Sequence, residues 1–217
     1  MQIFRPGANA VATALLASLG VIPVLAAGLA YQIADSPYVT NQNVTLDQPV
    51  PFSHEHHVGG LGLDCRYCHT SVEKARFAGL PPTETCMTCH SQIWTNAEML
   101  APVRTSLAEN IPIRWHRVNR LPGYVYFDHS VHVAKGVGCS TCHGPIHEMK
   151  LTRQAQPLTM QWCLDCHRDP ARSIRPPEAV FDPDWSAPEN NEESGRKLMA
   201  VYHIQTDHLT DCSICHR

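Results

Sequence analysis

With 217 residues, a formal charge of −3 and no basic excess, the chain is long enough for one or two domains and carries nothing that would grip nucleic acid. Only 7% of its residues are aromatic and 17 are proline, a poor supply for a deep protein-only core. Something other than side chains has to fill much of the interior.

The first element in chain order is apolar. No charged residue lies in 6–34, and residues 10–30 supply 21 positions, enough for the roughly 20 a membrane helix needs. The pattern predicts a membrane anchor over 1–34. The amino terminus and Arg5 would lie on the cytoplasmic side, with the rest of the chain outside. A cleaved signal peptide is the competing reading, with Gly28, Leu29 and Ala30 as its small-x-small site. The apolar run exceeds an ordinary signal core, so an uncleaved anchor is expected. Gly20 and Pro23 would loosen the helix, and its many alanines suit packing against other membrane helices.

Beyond Asp35 one pattern dominates. Cys-x-x-Cys-His occurs at Cys65-Cys68-His69, Cys86-Cys89-His90, Cys139-Cys142-His143, Cys163-Cys166-His167 and Cys212-Cys215-His216, and it uses every cysteine in the chain. This is the attachment pattern of a c-type haem. The two sulfurs bond the vinyl-derived carbons of the porphyrin, and the histidine becomes the proximal iron ligand. Disulfides would not need the histidine. Zinc takes four ligands from paired units, and an odd number of pairs leaves one unmatched. Five haem c groups are therefore predicted in a domain over 35–217. The expected fold is mainly short α-helices and loops wrapped around the haems, with little β-structure and no folding in their absence. Haem of this type is attached on the outer side of the bacterial inner membrane, which gives a periplasmic compartment.

The haem region repeats. Phe52-x-His54-x-x-His57-Val58 leads to the first motif and Phe127-x-His129-x-x-His132-Val133 to the third, with His54 and His129 75 residues apart, as are His57 and His132. Two diheme halves follow, about 50–120 and 121–190, with a fifth site in 191–217. Residues 91–110 carry Ile93, Ala97, Leu100, Val103 and Leu107 at helical spacing, predicting an amphipathic helix. Pro122 and Gly123 mark a turn between halves. Residues 175–193 read as an extended strap, followed by a helix near 194–202.

An electron carrier needs a sixth ligand on each iron. His54, His57, His129 and His132 are the candidates, because the same i, i+3 pair recurs in both halves and lies on one face of a helical turn. His56 has Val131 as its counterpart and is not expected to ligate. For the fifth iron, Met149 comes first, as a soft thioether that raises potential relative to bis-histidine, and His208 second. His116, His147 and His203 compete.

Taken together, the apolar N-terminus, the Phe-x-His-x-x-His leads, the 158–168 run and the fifth motif with Arg217 resemble the pentahaem cytochrome subunit of alternative complex III, within the c7-like or class III multihaem group. The resemblance spans almost the whole chain. It implies an electron-transfer subunit without bond chemistry of its own, working beside an iron–sulfur protein and polytopic membrane subunits. Electrons would pass from quinol to a periplasmic acceptor such as a cytochrome c or cupredoxin. It also implies a mixture of bis-histidine and histidine–methionine haems, in keeping with Met149.

Rival readings are weaker. An anchored quinol dehydrogenase of the NapC/NrfH kind typically has a methionine two residues after a motif histidine, where this chain has Ser71, Gln92, Pro145 and Asp169. A multihaem reductase needs an open iron, against the surplus of histidines. A free-standing periplasmic carrier would need the N-terminal segment removed.

Overall fold

The computed structural model describes residues 5, 7–188 and 191–216. The chain divides into two units, Met1–Asn41 and Gln42–Arg217.

The first unit is built on α1 (Ala8–Ala34), 27 residues with a mean hydropathy of 2.2 over its most apolar window and no buried side chain. It is long and apolar enough to cross a membrane. Pro23 lies inside it, removing one backbone donor from the helical ladder. Ser18 turns its hydroxyl back to the Ala14 carbonyl, 2.7 Å away, which hides that polar group within the helix. A short turn, α2 (Pro37–Thr40), ends on Asn41 in the left-handed region at φ 57°.

The second unit consists of short helices and loops. Among the described residues there is no named strand, only the isolated bridges Thr45–Arg153, Val125–His216 and Val137–Ile174. Its helices are α3 (Cys65–Cys68), α4 (Thr83–His90), α5 (Ala101–Glu109), α6 (His129–Ala134), α7 (Cys139–His143), α8 (Met160–Arg168), α9 (Asn191–Val201) and α10 (Cys212–Cys215). Few side chains are buried: Val50, Leu100 and Val103 make one small cluster, with Met87 and Trp115 against it. This scarcity matches the expectation that the polypeptide does not fill its own interior.

Several boundaries differ from the sequence reading. The helix expected over 91–110 begins only with a 3-10 turn at Glu98–Leu100 and continues as α5. Trp94, at φ 53°, takes the left-handed conformation and breaks the preceding stretch. The strap after Ile174 is irregular, as expected, apart from a 3-10 turn at Pro177–Ala179. Helix α9 starts at Asn191, earlier than predicted, and its Gly195 lies so close to the Ala171 carbonyl that no β-carbon fits. The turn expected at Pro122 and Gly123 is present, with the Val125 N–H donating to the Pro122 carbonyl at 3.0 Å.

The two copies of the histidine lead differ by one residue. From His54 to Cys65 is eleven positions, from His129 to Cys139 ten. The second copy forms α6; the first forms a π-helix over Glu55–Gly60, in which the Leu61 N–H reaches the His56 carbonyl five residues back. A π-helical turn is what one extra residue inside an α-helix produces.

Candidate haem sites

Each Cys-x-x-Cys-His motif sits on a short helix, so that its cysteines, three apart, share one face. Three of these helices have an identifiable start: Asp64 caps α3 by accepting from the Arg66 N–H at 2.8 Å, Thr159 caps α8, and Gly138 precedes α7. All ten cysteines are free. Among the described residues no three His, Cys, Asp or Glu side chains converge as a metal cluster.

The motifs lie in a row. Cys68 is within electrostatic reach of Cys86, and Tyr67 hydrogen-bonds Thr88 at 3.0 Å, joining the first motif to the second. The Cys65 and Cys139 thiols are neighbours that perturb each other's ionisation, joining the first to the third. Cys142 neighbours Cys166 and Cys163 of the fourth, and burial together with those neighbours pushes its thiol up to about 12. Cys163 neighbours Cys215 of the fifth, and the His167 ring donates to the Leu209 carbonyl just before it. The spatial order is second, first, third, fourth, fifth.

The histidines pair across the places where haem would stand. His57 faces His90 with ring centroids 6.2 Å apart, His132 faces His167 at 6.2 Å, and His129 faces His143 at 6.4 Å with planes 4° from parallel. Two imidazole nitrogens each about 2 Å from one metal ion put the ring centroids roughly 6 Å apart, so these pairs fit an iron between them. His54 lies among His69, His143 and His57, with His69 exerting the largest of the three charge effects on it. Burial, reinforced by these neighbours, lowers the pKa of His54 to about 4; His143, likewise buried, falls to about 4. Both rings are therefore neutral at pH 7, as a metal ligand has to be.

Ring orientation gives a second test of fit. The Nδ1–H of His57 donates to the Ser53 carbonyl at 2.8 Å and that of His132 to Asp128 at 2.7 Å, both to the residue four earlier. His129 donates to Arg76, His69 to Gly79 and His90 to Ile93, at 2.9, 2.7 and 3.2 Å. His167 donates to Leu209 at 2.8 Å and His216 to Tyr124 at 3.3 Å. A ring tied through Nδ1 presents the lone pair of Nε2, so the residues present fit haem iron. His143 is the exception: its Nδ1 is buried without a partner, and its ring lies parallel to that of His129.

Both phenylalanines of the repeated lead pack on their histidines in the same way. Phe52 lies 4.9 Å from His54 and 4.4 Å from His57, and Phe127 lies 4.8 Å from His129 and 4.4 Å from His132. The sequence showed these rings at matching places but not their task, which is to fix the two imidazoles beside them. The carbonyls that orient the rings leave no trace in side-chain identity.

The candidates for the fifth sixth ligand are placed differently. Met149 is 1% exposed and lies against the third motif near Gly144, with its carbonyl accepting from the Glu55 N–H at 3.0 Å. Among the described contacts none joins it to His216. His208 is exposed, four residues before Cys212, with its Nδ1 3.1 Å from Asp211. His147 turns Nε2 to Asp184 at 3.3 Å, the reverse of the ligand pattern.

The comparisons agree on a class. Residues 125–217, from the start of the second repeat copy onward, match the family of cytochrome c7 and related cytochrome c. The chain is thus similar to multihaem cytochromes that carry haem c covalently and transfer electrons. More particularly, over 171 residues it is 29% identical to the multiheme cytochrome c subunit of the menaquinone reductase of Nitratidesulfovibrio vulgaris, covering 78% of this chain and 68% of that one.

Proposed function

We propose that this chain is a membrane-anchored pentahaem cytochrome c that relays electrons within a quinol-oxidising complex of the alternative complex III kind to a periplasmic acceptor. The observation that carries the proposal is the row of five motifs lined by facing histidine pairs. Haem c supplies a one-electron iron centre at each motif. The protein's part is to hold the cysteines and to orient the rings through backbone carbonyls. The histidines that would hold the iron at four sites are His54 with His69, His57 with His90, His129 with His143 and His132 with His167. The fifth pair is His216 with a ligand drawn from Met149 and His208. On this reading the chain carries electrons and leaves bond chemistry to its partners.

Helix α1 supports single-pass anchoring, with the N-terminus cytoplasmic and the 35–217 domain periplasmic. Partners on this reading are an iron–sulfur protein, polytopic membrane subunits and a soluble cytochrome c or cupredoxin. The similarity to a menaquinone reductase subunit favours a second reading, in which the same row delivers electrons to quinone.

The test is purification from native membranes in mild detergent, followed by identification of the co-migrating subunits and a count of haem per chain. An iron–sulfur and polytopic partner set, five haems and quinol-dependent reduction of the haems are expected. Reduction of quinone by pre-reduced haems, without the reverse reaction, selects the second reading. A chain that runs alone and oxidises quinol unaided overturns the subunit proposal.

A further inference from the structure

One side chain beside the third motif has no part in holding a haem. Arg175 is 5% exposed. The strap carries it inward: its N–H donates to the Gly136 carbonyl, the Tyr202 hydroxyl donates to its carbonyl, both at 2.8 Å, and Ile174 bridges to Val137. Gly136 turns at φ 80° to allow this approach. The guanidinium lies on the backbone of Gly138, where a β-carbon would collide with it, and its carbon is 4.5 Å from the centre of the Trp185 ring.

Every hydrogen-bond acceptor it meets is neutral. Nη2 donates to the hydroxyls of Ser140 and Thr141, and Nη1 to the carbonyls of Ala179 and Asp182, while Nε is buried with no acceptor. Among the described residues no carboxylate forms an ion pair with it, and the one acid within charge reach is that of Asp182. Ser140 and Thr141 are the two residues between Cys139 and Cys142, so the charge lies on the turn that carries the third site's sulfurs. The first motif makes the contrast. There Arg66 occupies the position between the cysteines, half-exposed and paired with Asp64 at 2.8 Å, where water and the carboxylate cancel most of its field.

A buried cation without an ion-pair partner is costly, and in a low-dielectric setting its field reaches its neighbours less attenuated than at the surface. We infer that Arg175 is a positioned fixed charge that raises the reduction potential of the haem bound at Cys139 and Cys142 above that of its repeat counterpart at Cys65 and Cys68. The inference rests on the proposed haem occupancy of the third motif. A positive charge stabilises the site when it holds the extra electron. The exchange it biases is one electron between the third site and a neighbour in the row, one reduced as the other is oxidised. No proton moves, because the guanidinium stays charged across the working pH range.

The experiment is a spectroelectrochemical titration of the intact haem-loaded chain and its variants, with haem attachment mapped by peptide mass. Arg175→Gln is expected to lower one component by about tenfold in its one-electron equilibrium, about 59 mV. Arg175→Lys, which keeps the charge, leaves that component near its original value. Ser140→Asp, which sets a carboxylate against an intact Arg175, lowers the same component. Unmoved potentials in both Arg175→Gln and Ser140→Asp overturn the inference, as does a shift in Arg175→Lys as large as that in Arg175→Gln. If Arg175→Gln fails to fold, Ser140→Asp decides by the same criterion. Absence of haem from the third motif of the unaltered chain instead defeats the functional reading itself.

Discussion

His57 and His132 are turned the same way by the same local device. Each has its Nδ1–H on the carbonyl four residues back and a phenylalanine ring 4.4 Å from its own. The i, i+3 histidine pairs were legible in the sequence because the spacing repeats. Which motif each histidine faces was not, because that depends on loops whose carbonyls and turns carry no side-chain signature. Facing rings 6.2 Å apart are the support for the proposal that His57 and His90 pair at the second site. Replacing His57 with Leu, close in volume and without a ligating atom, is expected to convert one haem in five to a five-coordinate high-spin state and leave the rest unchanged. Electron paramagnetic resonance of the oxidised protein checks this; a spectrum free of a new high-spin signal would remove His57 from the ligand set.

At the scale of elements, the proposed haem occupancy accounts for the short helices around the motifs, since covalent attachment, rather than helix length, would hold them. That chemistry made the motifs fully legible, while propensity placed the longer helices only approximately. The 91–110 stretch has helical spacing, yet Trp94 in the left-handed region stops the helix there and α5 begins seven residues later. The contact of α9 with the Pro170–Arg172 turn had no sequence signal beyond a lone glycine. Gly195→Ala forces a β-carbon into the Ala171 carbonyl, and overpacking of this kind costs about 1–3 kcal/mol. A lowered melting temperature with all haems retained is expected by calorimetry. An unchanged melting temperature would mean that α9 docks less tightly than the structure indicates.

For the molecule as a whole, nine buried apolar side chains among the described residues, scattered from Val50 to Val180, are too few to hold the 42–217 unit. Made without the haem-attachment machinery, this unit is expected to show no cooperative thermal transition and to be cleaved rapidly by protease, whereas the haem-loaded form melts cooperatively. A sharp transition in the haem-free chain, followed by circular dichroism, would contradict this. The composition is the source of this expectation; the spatial order of the sites was not legible, since nothing in the motif spacing says that the first and third adjoin.

That adjacency has a consequence in symmetry. Cys65 and Cys139 hold the same position in the two repeat copies, and they are neighbours. A residue meeting its own counterpart is the mark of a two-fold axis. On the two-copy reading, the first four sites form a palindrome: second member, first member, first member, second member. Such a molecule is a fused homodimer with its axis between the thiols, and an exact palindrome has no preferred direction for a charge moving along it. Polarity has to come from whatever breaks the dyad, and two features do: the extra site at Cys212 and Cys215 on one end, and the buried guanidinium of Arg175 on one side of the axis.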